Sequence, residues 1–212
     1  MTVTNPNNSL LVIDAASFNA GIGIRRTDRA AFSRIFQGGI RAEALASEVK
    51  GLLQDADLMA TEIRFIAVNC GPGSFTGIRT GMAFAKGLAA GIPDARILPI
   101  SATYAARSAL KIDIEGAIMI QVAAQSFVRQ MAPGPGLMIE DAVEADRLSQ
   151  VLADIVNDLN RPLAIERGIA PELENHPNVT TFANLTSLLL DLDVVFSSSI
   201  AGNELRYLEK RF

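Results

Sequence analysis

The chain of 212 residues has few of the side chains that build zinc sites and catalytic dyads. It contains one cysteine, Cys70, and one histidine, His176. An internal disulfide is therefore impossible, and the usual Cys/His zinc site cannot be assembled within the chain. A Ser–His–Asp triad would depend on that single histidine, which lies in the polar segment PELENHPNV. We expect no metal ligands and no hydrolytic triad here.

Long apolar runs are also missing. Hydrophobic residues make up 49% of the chain, enough for a sizeable core, but no segment reaches the roughly 18–20 apolar residues that cross a bilayer. The first residues, MTVTNPNNS, lack the basic-then-apolar order of a signal peptide. We therefore expect a cytoplasmic protein without membrane contact.

The chain has no excess of basic residues. It carries 19 Lys and Arg against 23 Asp and Glu, a net charge of −4, so a broad basic face for nucleic acid is not expected. The densest basic cluster consists of Arg25, Arg26, Arg29 and Arg34. We interpret it as the solvated tip of a β-hairpin.

The first half of the chain alternates between strand and helix patterns. The apolar run Leu10–Ile13 is typical of a strand covered on both faces, and it ends in Asp14 and a small-residue turn. Further strands are predicted at residues 18–25, 30–37, 65–68 and 96–100. Helices are predicted over residues 41–55, after the glycine-rich turn at 71–77, and after the N-cap Ser101.

A second cycle of elements begins at Gly116. The segments AIMIQVAA and SFVRQMA are predicted strands, PGPG at 133–136 a turn, residues 145–159 a helix, PLAIE a strand and Leu185–Leu190 a last helix. The pattern predicts an α/β protein with two lobes, the second smaller and less regular. We place the lobes at residues 1–112 and 113–212.

The stretch NCGPGSFTGIRTGMAFAKGLAAGIP, residues 69–93, joins a strand to a helix through glycines. Such turns let backbone N–H groups converge on an anion. The glycine spacing matches neither the P-loop nor the dinucleotide-binding motif, so a tight loop that only caps the helix is the alternative. The candidate anion- or nucleotide-binding residues are Asp14, Ser17, Gly71, Gly73, Ser74 and Thr76.

Small residues recur every four positions through the following helix. Gly73, Gly77, Gly81, Ala85 and Ala89 form one stripe, which we call the small-residue stripe. Because an interior glycine costs a helix roughly 1 kcal/mol relative to alanine, close approach of another element is the expected reason. That element is either the domain's own sheet or a partner chain. The partner-interface candidates are Gly77, Gly81, Met82, Ala85 and Ala89.

Residues 9–110 resemble the TsaB (YeaZ) family of tRNA threonylcarbamoyladenosine biosynthesis proteins. The resemblance is carried by CGPGSFTGIRTGMAFAKGLAAGIP, LPISATYAA and EALASEVKGLL, together with the Ile13–Asp14 strand end. It implies the actin-like, Hsp70-like, sugar-kinase (ASKHA) fold of two ribonuclease-H-like lobes.

The resemblance also implies a function. Members of the family are non-catalytic paralogues of TsaD, which transfers threonylcarbamoyl to adenosine 37 of tRNA. TsaB pairs with TsaD through helices of its first lobe, and the ATPase TsaE joins the pair. This implies no catalytic residue, no cofactor for the isolated chain, ATP at the level of the complex, and only indirect contact with tRNA.

Two departures from the family pattern argue against nucleotide or metal binding by this chain alone. The segment Val122–Ala123–Ala124–Gln125 stands where relatives usually have Asp-Ala-Arg, and Arg41 or its neighbours stand where a histidine usually precedes the first helix. The alternatives are a stand-alone nucleotide-binding enzyme of the same fold and a homodimeric scaffold without a role in tRNA modification.

Overall fold

The structure is a computed structural model that describes residues 9–112, 116–134, 137–158 and 161–191. Within these ranges, ten strands form two sheets of five. The predicted lobe boundary at 112/113 touches residues 113–115, which lie outside the described ranges, so the boundary stays a prediction.

The first sheet is built from the first five strands. Their bounds are β1 (Ser9–Asp14), β2 (Asn19–Arg25), β3 (Ala31–Gln37), β4 (Ile63–Asn69) and β5 (Arg96–Ile100). The order is β3-β2-β1-β4-β5, with β1 antiparallel to β2 and parallel to β4. All six residues of β1 are buried, as expected for an apolar central strand covered on both faces.

The second sheet repeats this plan. Its strands are β6 (Ala117–Ala123), β7 (Ser126–Gly134), β8 (Leu137–Glu144), β9 (Leu163–Glu166) and β10 (Val179–Phe182). The order is β8-β7-β6-β9-β10, with β6 antiparallel to β7 and parallel to β9. In both sheets the chain thus runs from the central strand through an antiparallel pair of strands on one side, and then forms the two strands on the other side. The predicted two-lobed α/β fold is confirmed.

Helices cover both faces of the first sheet. The helices are α1 (Ala42–Asp55), α2 (Phe75–Ala90), α3 (Ala102–Leu110), α4 (Ala145–Ala153) and α5 (Leu185–Asp191). Apolar residues of α1 and α2 pack on one face with Leu11 and Ile13, while α3 and α5 pack on the other with Leu10 and Val12. Burial of these apolar side chains is the main stabilising contribution of the first core.

The last described helix, α5, returns to the first sheet and packs against two glycines of β2. A Cβ on Gly21 would lie 2.3 Å from Thr186 Oγ1, and one on Gly23 would lie 2.8 Å from a Leu190 methyl.

Among the described helices, the longest has 16 residues, and none is long and apolar enough to cross a bilayer.

Three predictions of local structure need correction. The predicted turn PGPG begins inside a strand, because residues 133 and 134 close β7, while residues 135–136 are outside the described ranges. Strands β8 and β10 were not predicted. The helix predicted over 145–159 is α4 followed by a π-helical turn at Asp154–Asp158.

The basic cluster is a solvated hairpin tip only in part: residues 27–30 of the turn are exposed, whereas the other three arginines contact helices. Arg34 forms salt bridges with Glu48 (2.7 Å) and Asp55 (2.5 Å) of α1. Arg25 donates to the Leu190 carbonyl (2.6 Å) and Arg26 to the Ala56 carbonyl (2.9 Å). These guanidinium groups tie the β2–β3 hairpin to the helices on both faces of the sheet.

Candidate functional site: the cleft at the strand ends

The carboxylate of Asp14 organises the turn after β1. Its Oδ1 accepts hydrogen bonds from the backbone N–H groups of Ala16 and Ser17, both at 3.1 Å, and from Asn69 Nδ2 at 2.8 Å. Its Oδ2 is buried and has no hydrogen-bond partner among the described residues. Burial raises the pKa of Asp14 above its ordinary value, while the hydrogen bonds from Asn69, Ser17 and Ala16 oppose that rise.

Asn69, the last residue of β4, joins this turn to the glycine-rich loop. Its side-chain N–H group donates to Asp14 and, at 3.3 Å, to Ser17 Oγ, while its Oδ1 accepts from Gly71 N at 2.8 Å. Gly71 has φ +107°, which favours glycine, and a cis bond to Pro72 follows. Asn69 therefore clamps two adjacent strand ends in one polar cluster.

The start of α2 packs tightly on the turn after β1. Ser74 is the N-cap, and its Oγ accepts from Gly77 N at 3.1 Å. The Ser74 N–H group donates to the Ala16 carbonyl at 2.8 Å. A Cβ on Gly73 would lie 2.5 Å from the Ala16 oxygen, and one on Gly77 would lie 1.9 Å from the Ala15 oxygen. Glycine is therefore required at both positions by the chain's own backbone.

The small-residue stripe continues along the sheet. Gly81 and Ala85 are buried, and a Cβ on Gly81 would make ordinary contacts of 3.5 Å with Ile13 and Val68. Met82 and Ala89 are partly buried in the same core cluster. The structure thus places Gly77, Gly81 and Ala85 against the domain's own sheet, the first of the two alternatives. They offer little surface to a partner, so a partner on this helix would meet its other face.

A cleft of about 1140 Å³ lies between the two sheets, beside the strand ends. Three of the six predicted anion-binding residues line it: Ser17, Ser74 and Thr76. Asp14, Gly71 and Gly73 are not part of its wall and support the turns behind it. The second sheet contributes Val122, Ala123 and Ala124, which bring no charged side chain to this wall.

The starts of α1 and α2 both face the cleft. Residues 41–44 and Thr76–Gly77 are among its lining, and the Arg41 side chain makes no capping bond to the first turn of α1. Helix N-termini and Arg41 favour a negatively charged ligand, whereas Glu43 opposes one. The hydroxyl groups of Ser17, Thr76 and Thr80 add donors. These residues fit a phosphate group.

A metal bound through Asp14 does not fit this arrangement. Oδ1 already accepts three hydrogen bonds, Oδ2 is enclosed, and the residue is absent from the cleft wall. Among the described residues, no group of three or more His, Cys, Asp or Glu side chains is placed to hold a metal ion. The groups that line the cleft are those that bind an anion.

Sequence reasoning missed two polar residues of this region. Asn69 opens the quoted glycine-rich stretch but was assigned no role, and Glu166, buried at the end of β9, was not singled out. Both end an apolar strand, as Asp14 does. A polar residue at the end of an apolar strand is therefore the sequence feature that could have identified Asn69 and Glu166.

A protein-family model described as "TsaD: tRNA N6-adenosine threonylcarbamoyltransferase" matches residues 41–129. TsaB of Bacillus subtilis is 33% identical over 96 residues, which are 44% of this chain and 40% of that protein. An uncharacterized protein of Mycobacterium tuberculosis is 40% identical over 92 residues, 41% of this chain and 43% of the relative. The alignments thus span about two fifths of the curated relatives' length.

A crystal structure described as similar to peptidase YeaZ from Pseudomonas aeruginosa has a TM-score of 0.56 at 20% identity, over 86% of this chain and 90% of that one. The chain is thus similar to TsaB of Bacillus subtilis in the sequence of part of its length, and to a YeaZ-like protein in fold. Ethanolamine utilization protein EutJ from Carboxydothermus hydrogenoformans has a TM-score of 0.54 at 11% identity, over 88% of each chain. At these identities the structural matches show a shared fold alone, and they agree with the predicted α/β fold of two lobes.

Proposed function

We propose that this TsaB-like chain is a non-catalytic partner subunit of a TsaD-like protein, in forming the threonylcarbamoyl group on adenosine 37 of tRNA. The observation that carries the proposal is the likeness to TsaB of Bacillus subtilis, together with the family match over 41–129, which includes α1 and α2. The proposed setting is the cytoplasm, with a TsaE-like ATPase as a third component and tRNA reached through the partner.

The outer face of α2 is the surface we propose for the partner. It consists of the exposed residues Phe75, Thr76, Arg79, Ala83, Lys86, Gly87 and Ala90. Phe75 is 63% exposed, and the Arg79 guanidinium lies 4.5 Å from its ring centroid, a cation–π contact that holds both side chains at the surface.

Gly87 supports this choice. A Cβ there would meet nothing within 4 Å, so packing within the chain gives no reason for a glycine that weakens the helix. Close approach of a partner backbone supplies a reason. Gly77 differs, because the turn after β1 already occupies the space a side chain would need.

The test mixes the purified chain with the TsaD-like protein of its own organism and measures association by light scattering and calorimetry. We expect a heterodimer for the unmodified chain and at least about tenfold weaker binding for Gly87→Leu, with an unfolding midpoint that is not lowered. The control is Ser149→Leu, which likewise places a leucine on an exposed helix surface, that of α4. No heterodimer with the unmodified chain would contradict the proposal, and a homodimer alone would favour the scaffold alternative.

The cleft favours one second candidate, nucleotide binding by the isolated chain. Arg41, three hydroxyl groups and two helix starts provide donors for a phosphate. Calorimetry with ATP and magnesium tests it, with Arg41→Ala as the variant that removes the basic side chain. Tight binding that Arg41→Ala weakens would favour the enzyme alternative over the partner subunit.

A further inference from the structure

Glu166 is a buried carboxyl group whose hydrogen-bond partner belongs to the other sheet. It ends β9 and is 2% exposed. Its Oε1 accepts a hydrogen bond of 2.7 Å from Asn19 Nδ2, at the start of β2. Burial raises the pKa of Glu166 to about 7; the hydrogen bond from Asn19 opposes the rise, and the charge of Asp14 adds to it.

The groups around Glu166 give its negative charge little compensation. On β1 the facing titratable group is Asp14, a second acid, and on β2 the facing group is the neutral amide of Asn19. On β10 the register partner is Phe182, and on β6 the last residue paired with β9 is the apolar Met119, opposite Ile165. Arg167, next in the chain, is exposed. Ionised Glu166 therefore lies in an apolar site facing a like charge.

The contact lies beside the cleft. Asn19 directly follows Ser17 and Phe18, which line one wall, and the Phe18 N–H group donates to the Gln121 carbonyl of β6 at 3.4 Å. Gln121 in turn precedes the opposite wall, Val122–Ala124. Two hydrogen bonds thus cross from the turn after β1 to the second sheet, and one of them ends on a group that gains or loses a charge.

We propose that the Asn19–Glu166 contact is a proton-controlled latch between the two sheets, closed while Glu166 is protonated and loosened when Glu166 ionises. Protonation removes the charge from a site that cannot solvate it and ends the repulsion by Asp14. Ionisation favours conformations in which water reaches the carboxylate, and such conformations separate β9 from the turn after β1. The width of the cleft then depends on pH without any partner or ligand.

The experiment follows hydrogen exchange of the Phe18 amide by NMR from pH 5.5 to 8.5, in the full chain alone. Rates are converted to protection factors, so that the intrinsic pH dependence of exchange is removed. In the unmodified protein, Phe18 protection should fall about tenfold between pH 6 and pH 8, since each unit of pKa difference corresponds to a factor of ten. In Glu166→Gln, which keeps an acceptor for Asn19 but cannot ionise, protection should stay constant.

Two controls isolate Glu166. Glu172→Gln removes an exposed acid of the same lobe, and His176→Gln removes the single histidine of the chain. Both should keep the transition of the unmodified protein. Constant Phe18 protection in the unmodified protein, a transition that persists in Glu166→Gln, or one that disappears in His176→Gln would each overturn the latch. The pH dependence of Phe18 protection in the unmodified protein tests the latch even if a variant does not fold.

Discussion

The two sheets share one strand order, yet their strand ends differ. In the first sheet the central strand β1 ends in Asp14, which folds the following turn around its own carboxylate. The corresponding strand of the second sheet, β6, ends in Val122 and Ala123, which bring no charge to the cleft. The polar chemistry of the cleft therefore comes mainly from the first sheet.

The next strands sharpen this contrast. β4 ends in Asn69 and its counterpart β9 in Glu166, and both side chains are buried. Asn69 bonds within its own sheet, to Asp14, Ser17 and Gly71. Glu166 bonds across to Asn19 of the other sheet. Asn69 thus finds its hydrogen-bond partners within the first lobe, whereas Glu166 of the second lobe finds one in the first.

The element after each of these strands also differs. After β4 comes the 16-residue α2, pressed onto the turn after β1. After β9 comes a 3-10 turn of three residues, Pro171–Leu173. The close packing of a helix on the turn after the central strand is thus seen in the first lobe, and substitution of the glycines at this contact should disrupt it.

The largest expected effect is that of Gly77→Ala. The new Cβ would lie 1.9 Å from the Ala15 oxygen, so backbone has to move, and we expect a loss of at least about 3 kcal/mol of unfolding free energy. Urea denaturation measures it. Gly81→Ala is the control on the same stripe, because its Cβ makes only ordinary contacts at 3.5 Å. Equal stabilities of the two variants would contradict the proposed close packing.

Asn69→Ala should have the next largest effect. It removes three hydrogen bonds and deprives Asp14 of the interaction that most lowers its pKa, so a loss of about 2–3 kcal/mol is expected. Chemical denaturation measures this against Asn184→Ala, which removes the Asn184 side chain that accepts from Ser187 N, at a loss of about 1 kcal/mol. A loss of unfolding free energy no greater than that of Asn184→Ala would show that the hydrogen bonds of Asn69 contribute little to stability.

The elements that sequence analysis predicted are those with a strong local pattern. β1 and β4 are apolar runs, and α1 places Leu45, Val49 and Leu52 on one face. β10 is only four residues long, and its pairing with β9 supplies its order. β8 carries Glu140 and Asp141 within its run, which hides the strand pattern.

The site divides in the same way. Asp14 and Ser17 could be singled out from sequence because they directly follow an apolar strand, which is a local pattern. Asn69 meets Asp14 across 55 positions, and Asn19 meets Glu166 across 147. Contacts at such separations arise from the topology of both sheets, which no local pattern encodes.

Glu166→Gln tests the dependence of the second sheet on the first. Because folding raises the pKa of Glu166 to about 7 from its ordinary 4.5, the folded state holds its proton more tightly than the unfolded state. The unmodified protein should therefore lose stability as pH rises from about 4.5 to about 7 and level off above. Relative to it, Glu166→Gln should gain on the order of 2 kcal/mol at pH 8 and almost nothing at pH 4.

Denaturation curves at both pH values check this, with Glu172→Gln as the exposed control. A Glu166→Gln gain that is equal at both pH values would show that the variant acts through packing rather than through ionisation. A gain confined to pH 8 would tie the charge of Glu166 to the contact between the sheets.

The smallest expected effect separates the two faces of α2. Gly87→Ala adds a methyl group in open space and replaces the poorest ordinary helix former with the best, so it should stabilise the isolated chain by about 0.5–1 kcal/mol. Thermal unfolding measures the gain. If the outer face binds a partner, the same variant should weaken association, because a side chain then stands where a backbone approaches. If Gly87→Ala is more stable and binds the partner equally well, contact with a partner does not explain the glycine. The interface would then lie on another part of the first lobe.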